Sequence, residues 1–219
     1  MANMQGISKL PVSVEELWAM NSCGYTREAW VEMHRRKGYT LDNQPPRDFF
    51  AADVSKCSPT VSSFAAKARE GCPAGLLLSG KAGRGKTYAA CAIIRAVQDC
   101  KSVGLATDAE LVRAAKATFN DRNASEAQVI QRYTLPGVLV LDDFGKASYS
   151  SDWVLQLVFS VVDGRLRQGR TTIVTTQYDA ASLLNKLTVN GDSATAEAIL
   201  SRFRTYEKAK LDGEDLRAA

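Results

Sequence analysis

The stretch GKAGRGKT, from Gly80 to Thr87, constrains the fold of this chain more than any other part of its sequence. It fits the spacing G-x-x-x-x-G-K-[ST], follows the apolar run AGLLLS and precedes YAACAIIRAV, which has a helical pattern. Glycines at these positions let backbone N–H groups approach phosphate oxygens, and a helix that begins directly afterwards points its positive end at the same anion. The pattern therefore predicts a strand, a phosphate-binding loop and a helix, in that order.

The residue types in this loop favour a nucleotide over a plain glycine-rich turn. Lys86 is expected to reach the β- and γ-phosphates, and the Thr87 hydroxyl to hold Mg²⁺. A glycine-rich turn without a ligand does not account for this Lys-Thr pair. The residues predicted to bind the nucleotide are Gly80, Lys81, Ala82, Gly83, Arg84, Gly85, Lys86 and Thr87.

A second motif, VLVLDDFG, ends an apolar run in two carboxylates, Asp142 and Asp143. A buried strand that ends in two carboxylates is costly unless cations meet them. Asp142 is expected to orient Mg²⁺ through water, and Asp143 to position or activate the attacking water. The alternative, a surface Asp-Asp turn, fits poorly with the apolar run directly before it. Together the two motifs define a P-loop NTPase without defining its task.

Strand-like and helix-like segments alternate from residue 48 onwards. Strands are predicted in GLLLS, SVGLA, GVLVLDD, TTIVTTQ and YEKAKLDG, and helical patterns lie between them. Such alternation predicts an α/β fold in which a parallel sheet is covered on both faces. Thr107 is expected to cap the helix that follows the second strand.

Three further side chains are candidates for the reaction. Gln177, at the tip of TTIVTTQ, is expected between the γ-phosphate and the two aspartates. Arg202 and Arg204 lie near the end of a helix in AILSRFR, where an arginine could serve the nucleotide of another subunit. For each arginine a solvated helix face or an intrachain ion pair is the alternative, and the sequence leaves both open.

The first 46 residues are predicted to form a small helical module that includes a linker, followed by an ATPase domain over residues 47–219. The segment before LDNQPPRD reads as a helical hairpin, with a capping box at Ser13 and Glu16. The net charge of +4 permits nucleic-acid binding without demanding it. The N-terminus lacks a signal-peptide pattern and no apolar run could span a membrane, so a cytoplasmic location is expected.

A zinc site is the less favoured interpretation of the cysteines. The five cysteines form no C-x-x-C pair, and a site made from His34 with Cys23, Cys57 and Cys72 would need irregular spacings. Reduced thiols are expected instead.

In their order and spacing, GCPAGLLLSGKAGRGKTYAACAI, GVLVLDDFGKASYSSDW, TTIVTTQYDAASL and ILSRFR resemble DnaC-type helicase loaders. These loaders and the IstB-type transposition helpers form one branch of the AAA+ ATPases. The resemblance covers roughly residues 48–217. It implies a five-stranded parallel sheet without a C-terminal lid, ATP and Mg²⁺ as ligands, and ATP-dependent self-assembly. It also implies single-stranded DNA as a ligand and an N-terminal module that binds a replicative helicase.

The resemblance assigns a role to further residues of this chain. Lys86, Thr87, Asp142 and Asp143 match the phosphate loop and acidic strand end of the family, and Arg202 matches its arginine finger. A set of three residues matches the helix that contacts single-stranded DNA in these loaders: Arg113, Lys116 and Phe119. Basic groups there would meet the DNA backbone, and the ring offers a stacking surface unless it packs in the core.

Two residues depart from the family pattern and predict slow hydrolysis. Asp143 is one methylene shorter than the usual Glu, and Gln177 is one methylene longer than the usual Asn. Arg217 is a candidate replacement for an arginine that other AAA+ proteins carry on their lid.

The leading hypothesis is an ATP-dependent loader of a replicative helicase, and the alternative is an IstB-like helper that acts on duplex DNA with a transposase. A small-molecule kinase is disfavoured because no arginine-rich lid insertion lies between the strands. A nucleotide-gated binding protein without useful hydrolysis remains a fourth interpretation.

Overall fold

The computed structural model describes residues 49–72, 75–118, 125–149 and 151–212. The predicted N-terminal module, with Ser13, Glu16, Cys23 and His34, lies outside these ranges, and so do Phe119 and Arg217.

The described chain alternates strands and helices around one sheet. The strands are β1 (Gly75–Ser79), β2 (Val103–Thr107), β3 (Val138–Asp142), β4 (Thr171–Thr176) and β5 (Glu207–Lys210). A short 3-10 turn covers Val54–Lys56, and the α-helices are α1 (Pro59–Glu70), α2 (Lys86–Val97), α3 (Asp108–Ala117), α4 (Glu126–Thr134), α5 (Asp152–Arg167), α6 (Ala180–Leu187) and α7 (Ala194–Arg204).

All five strands are parallel, and their order across the sheet is β2-β3-β4-β1-β5. This confirms the predicted five-stranded parallel sheet. The central strands β3 and β4 are buried along their whole length, as expected where helices cover both faces. Alternate residues of β3 enter two separate cores, Val138 and Val140 on the side of α1 and α2, and Leu139 and Leu141 on the opposite side.

The helices begin where short polar side chains can satisfy their first N–H groups. A capping box joins Thr107 and Glu110 at the start of α3, so the predicted cap is confirmed. The same arrangement of Ser125 and Gln128 starts α4. Helix α1 was not predicted from the sequence, although Pro59 stands at its first turn and the left-handed Gly71 follows its last residue, which are ordinary start and stop signals.

A buried arginine forms a set of hydrogen bonds at the amino ends of the central strands. Arg165 of α5 is fully buried and forms no ion pair with a carboxylate among the described residues. Its Nε donates to the Thr172 hydroxyl at 2.9 Å, and Nη2 donates to the Thr171 carbonyl. Its Nη1 donates to three carbonyls at the end of α4 and just beyond it, those of Tyr133, Thr134 and Pro136. We call these groups the amino-end cluster. Burial lowers the pKa of Arg165 to about 9, which leaves it charged at neutral pH.

Candidate nucleotide-binding site

The candidate site lies where the carboxyl ends of β1, β4 and β3 meet as neighbours at one edge of the sheet. In open parallel sheets ligands bind outside these carboxyl ends. The loop Gly80–Thr87 follows β1, the aspartates end β3, and Gln177 follows β4. The topology therefore brings together the three segments that the sequence predicted as one site.

The loop between β1 and α2 depends on glycine at two positions. Gly80 has a φ of 149°, and a Cβ there would lie 2.3 Å from the carbonyl oxygen of Leu211, which follows β5. Gly85 has a φ of 76° and forms the N-cap of α2. These left-handed conformations turn the loop onto the helix N-terminus, where free N–H groups and the helix dipole favour an anion.

Lys86 is the first residue of α2 and is only 6% exposed. Its Nζ donates to the carbonyl oxygen of Lys81 at 2.8 Å. The ammonium group is therefore held inside the loop that is predicted to surround the phosphates.

The next side chain joins the loop to the acidic end of β3. The Thr87 hydroxyl lies 3.1 and 3.2 Å from the two carboxylate oxygens of Asp142. Asp142 is 8% exposed and also accepts a hydrogen bond of 2.6 Å from the Thr175 hydroxyl. Burial raises the pKa of Asp142, an effect that the bonds from Thr175 and Thr87 oppose and the nearby Asp143 reinforces. The hydroxyl and carboxylate expected to serve one metal ion are thus already in contact.

Asp143 stands at a sharp turn after β3, with a left-handed φ of 56° that is uncommon outside glycine. Its N–H donates to the Thr175 hydroxyl at 2.9 Å, so Thr175 contacts both aspartates. Its carboxylate pairs with the Lys146 ammonium at 2.8 Å. Sequence reasoning missed Thr175 and Lys146, and only their closeness to motif residues along the chain could have suggested them.

Gln177 follows β4 and faces the same cavity as the loop and Asp143. Its Nε2 donates to the Tyr178 hydroxyl at 2.9 Å. The amide therefore lies at the predicted edge, oriented by the next residue of the chain.

These groups surround an open cavity of about 610 Å³. Two aromatic residues outside the predicted set also line it, Phe49 and Tyr88. Their rings meet edge to face with centroids 6.5 Å apart, and the Tyr88 hydroxyl accepts a hydrogen bond of 3.1 Å from the Asp53 N–H. The lining residues are Phe49, Ala82, Gly83, Arg84, Gly85, Lys86, Thr87, Tyr88, Asp143, Lys146 and Gln177.

The donors at this edge suit Mg²⁺. Thr87 and Asp142 offer oxygen atoms only, and Mg²⁺ in nucleotide sites takes one or two such ligands while it keeps water and phosphate oxygens. Within the described ranges, no group of three or more His, Cys, Asp or Glu side chains is placed to hold a metal ion.

Arg202, on α7, lies outside this cavity and forms an intrachain ion pair. Its Nη2 and Nε donate to Asp163 Oδ1 at 2.8 and 3.1 Å, and its guanidinium lies over the Phe159 ring at 4.7 Å. Asp163 also pairs with Arg167 at 2.7 Å. The side chain of Arg202 remains 26% exposed. The sequence left open a solvated helix face or an intrachain ion pair for Arg202. The structure shows the ion pair, with the guanidinium group still partly exposed to solvent.

The remaining predicted residues are spread over other surfaces. Arg204 is exposed beside a second, partly apolar cavity of about 310 Å³ between α6 and α7. Arg113 and Lys116 are exposed on α3, and Arg113 lines a small cavity with Arg132 of α4. No helix in the described ranges is both long and apolar enough to cross a lipid bilayer.

The sheet order, the glycine loop and the adjacent aspartate define a P-loop NTPase of the AAA+ class. The family model described as IstB-like ATP binding protein matches residues 59–218, so the chain belongs to this family. The predicted membership of the DnaC/IstB-like branch is thereby confirmed. Among curated proteins, no sequence matches the chain significantly.

Solved structures with the same fold include two that this chain matches over almost their whole length. DnaI is 21% identical, with a TM-score of 0.64 over 78% of this chain and 94% of that one. The DnaC helicase loader is 22% identical, with a TM-score of 0.59 over 76% of this chain and 99% of that one. AMPPCP-bound DnaA from Aquifex aeolicus is 14% identical, with a TM-score of 0.58 over 74% of this chain and 49% of that one. At these identities the likeness establishes the fold alone.

Proposed function

We propose that this chain is an ATP-dependent, DnaC-like loader of a replicative DNA helicase in the cytoplasm. It binds ATP with Mg²⁺, assembles on single-stranded DNA and hydrolyses ATP slowly. The observation that carries the nucleotide part is the contact of Thr87 with Asp142, where Thr87 and the buried Lys86 line one cavity with the glycine loop. The likeness to structures titled DnaI and DnaC helicase loader supports the choice of partner.

In this proposal each side chain at the sheet edge has one task. The N–H groups of the loop and Lys86 bind the β- and γ-phosphates, which requires Lys86 to exchange the Lys81 carbonyl for phosphate oxygens. Thr87 and Asp142 would hold Mg²⁺, which would neutralise part of the phosphate charge. Asp143 orients the attacking water, and Gln177 lies near the γ-phosphate as the first sensor.

The geometry around Asp143 supports slow hydrolysis. Its short carboxylate is held by the Lys146 ammonium at 2.8 Å, so it is engaged in an ion pair before any water binds. Gln177 is committed to the Tyr178 hydroxyl. Asp143 would have to leave Lys146, and Gln177 would have to leave Tyr178, before either could act on ATP. We therefore expect a low rate of ATP hydrolysis.

Arg202 is proposed to complete the site of a neighbouring subunit. In the single chain Asp163 holds it, and Asp163 would keep Arg167 as a partner after Arg202 turned outward. The free-energy cost for Arg202 to leave Asp163 and bind the phosphates of a neighbouring subunit is therefore smaller than the cost of breaking an isolated buried ion pair.

Arg113 and Lys116 are proposed to contact the backbone of single-stranded DNA, with Phe119 as a stacking surface. The exposure of Arg113 and Lys116 on one helix supports this assignment. Residues 1–46 are proposed to bind the helicase.

A second candidate function is an IstB-like helper that assembles on duplex DNA and activates a transposase. The specific observation that favours it is the match of the IstB-like family model to most of the chain. The ATP chemistry would be the same, and the macromolecular partners differ.

Mass photometry with single-stranded and duplex oligonucleotides, each with and without ATP and Mg²⁺, separates the two candidates. A loader is expected to form oligomers on single-stranded DNA only when ATP is present, and to retain a hexameric replicative helicase in a pull-down through residues 1–46. Assembly on duplex DNA with no helicase retained would overturn the loader proposal in favour of the transposition helper. A chain that stays monomeric under all four conditions would contradict both.

A further inference from the structure

Asp108, the first residue of α3, is a buried carboxylate that none of the roles above uses. It is 0% exposed. Its Oδ2 accepts three hydrogen bonds, from the Gly145 N–H at 2.7 Å, the Tyr149 hydroxyl at 2.8 Å and the Ala147 N–H at 3.1 Å. All three donors belong to the segment that follows β3, so one carboxylate oxygen on α3 fastens a whole loop on a different element.

This arrangement is costly for the folded state. The other carboxylate oxygen, Oδ1, is buried without a hydrogen-bond partner among the described residues. Burial raises the pKa of Asp108 even though the bonds from Ala147, Tyr149 and Gly145 act in the opposite direction. A half-satisfied buried carboxylate is less stabilising than a neutral side chain of similar size. Its three convergent bonds therefore indicate a role in fixing geometry rather than in packing.

The loop that Asp108 fastens carries two residues of the nucleotide cavity. The amides of Gly145 and Ala147 flank Lys146, whose ammonium pairs with Asp143 at 2.8 Å and whose own N–H donates to the Asp143 carbonyl at 3.1 Å. Asp143 holds a left-handed backbone conformation, which persists in non-glycine residues only when the surroundings enforce it. Asp108 accepts hydrogen bonds from the two residues on either side of Lys146, within this same turn.

We propose that Asp108 is a positioning residue for ATP hydrolysis, which acts through the backbone of Gly145 and Ala147 to fix the turn that carries Asp143 and Lys146. The inference rests on the proposed function, in which Asp143 orients the attacking water. It predicts that loss of the Asp108 charge impairs the chemical step while nucleotide binding through Lys86 and the glycine loop persists.

Steady-state ATP turnover of the full chain tests this inference with three variants. Asp108→Asn is expected to lower kcat on the order of 10- to 100-fold while KM changes by less than about threefold, because misplacement of a catalytic group affects the transition state more than binding. Tyr149→Phe removes one of the three donors and is expected to lower kcat roughly two- to tenfold. Asp99→Asn is the matched control, since this largely buried aspartate pairs with Arg69 outside the cavity lining, and its kcat is expected to stay near that of wild type.

Amide hydrogen exchange in the nucleotide-free protein supplies a readout that does not need catalysis. Asp108→Asn and Tyr149→Phe are expected to speed exchange at Gly145 and Ala147, while exchange in β1 stays unchanged. If Asp108→Asn does not fold, Tyr149→Phe decides by the same two readouts.

The outcomes separate the inference from the function on which it rests. The first case is one in which wild type hydrolyses ATP and Asp143→Ala does not. A normal kcat in Asp108→Asn, or in Tyr149→Phe if Asp108→Asn does not fold, then overturns the inference about Asp108 and leaves the proposed function standing. A fall in melting temperature with kcat and KM both unchanged assigns Asp108 a purely structural role and also overturns it. Equal background rates in wild type and Asp143→Ala overturn the proposed hydrolysis together with this inference.

Discussion

The two ends of the central strands each contain a buried charged side chain, and the two side chains differ in the partners that surround them. At the amino end, Arg165 donates to four carbonyls and a hydroxyl, and each of its three guanidinium nitrogens is engaged by its own chain. At the carboxyl end, Asp142 accepts hydrogen bonds from the hydroxyls of Thr87 and Thr175, and it forms no ion pair within the part of the chain that the structure describes. The charge of Arg165 is thus met by several fixed acceptors of its own chain, whereas the charge of Asp142 is met by two hydroxyls at the edge where a cation is proposed to bind.

The same contrast applies to the two arginines of α5 and α7. Arg165 is fully buried among fixed backbone acceptors. Arg202 is partly exposed and shares Asp163 with Arg167. The hydrogen bonds of Arg165 are therefore part of the folded core, while the ion pair of Arg202 is the one that we propose to be exchanged for the phosphates of a neighbouring subunit.

The largest expected effect concerns the amino-end cluster. Arg165→Met removes the donors to several buried carbonyls at once, and we expect a loss of about 4 kcal/mol in the free energy of unfolding. Urea denaturation measures it. Arg165→Lys keeps the charge but reaches fewer acceptors, so an intermediate loss is expected. A loss below about 1 kcal/mol in Arg165→Met would show that the cluster does not fasten the sheet.

The next effect concerns Arg202. In the proposed oligomer, Arg202→Ala is expected to lower ATP turnover on the order of 100-fold, because on this proposal it removes a cation that stabilises transition-state charge. Arg204→Ala, two residues along the same helix, is the matched control and is expected to leave turnover nearly unchanged.

Mixing variants tests whether Arg202 acts on a neighbouring subunit. Lys86→Ala and Arg202→Ala proteins, each inactive alone, are expected to regain part of the wild-type turnover when mixed, because the first donates Arg202 to the intact loop of the second. Absence of any recovery in oligomers that contain both variants would contradict action in trans.

The smallest expected effect concerns the carboxyl end in the absence of ligand. Asp142→Asn keeps the shape of the side chain and removes its buried charge, so we expect the nucleotide-free protein to gain about 1 kcal/mol of stability at pH 7. Equal or lower stability would show that the wild-type charge is already satisfied within the chain.

The pH dependence of this gain follows from the raised pKa of Asp142. A carboxyl group whose folded pKa exceeds 3.8 binds its proton more tightly in the folded state, so its ionisation lowers stability as the pH rises from about 3.8 through the folded pKa. The advantage of Asp142→Asn is therefore expected to grow as the pH rises from about 3.8 and to shrink toward acid pH. Thermal unfolding of both proteins between pH 5 and about pH 7 measures the trend.

The sequence predicted the site because its residues sit at strand ends. Apolar runs followed by GKAGRGKT, DD and Q identify the carboxyl ends of β1, β3 and β4, and parallel strands bring such ends to one edge. The contact of Thr87 with the end of β3 follows from this arrangement of parallel strands. The cap of α3 followed from a separate signal, Thr107 at the start of the helical pattern. The boundaries shifted slightly, as in β2, which was predicted over 102–106 and covers Val103–Thr107.

What the sequence could not provide are contacts made by residues without a motif. Asp108 looks like an ordinary acidic residue in a first helical turn, and only the fold brings the loop after β3 against it. Arg165 is a charged residue near a helix end, a residue type that is mostly exposed, yet α4 and β4 enclose it. The choice between a free and a paired Arg202 likewise depended on Asp163, 39 residues earlier in the chain.

Isothermal titration of ATP into the protein, with and without Mg²⁺, tests the central claim that the carboxyl end of the sheet is one ATP and metal site. The account predicts Mg²⁺-dependent binding by wild type, a loss of roughly 100-fold or more in affinity in Lys86→Ala, and loss of the Mg²⁺ dependence in Asp142→Asn. Equal affinity for ATP in wild type and Lys86→Ala, with the same response to Mg²⁺ in Asp142→Asn, would contradict it.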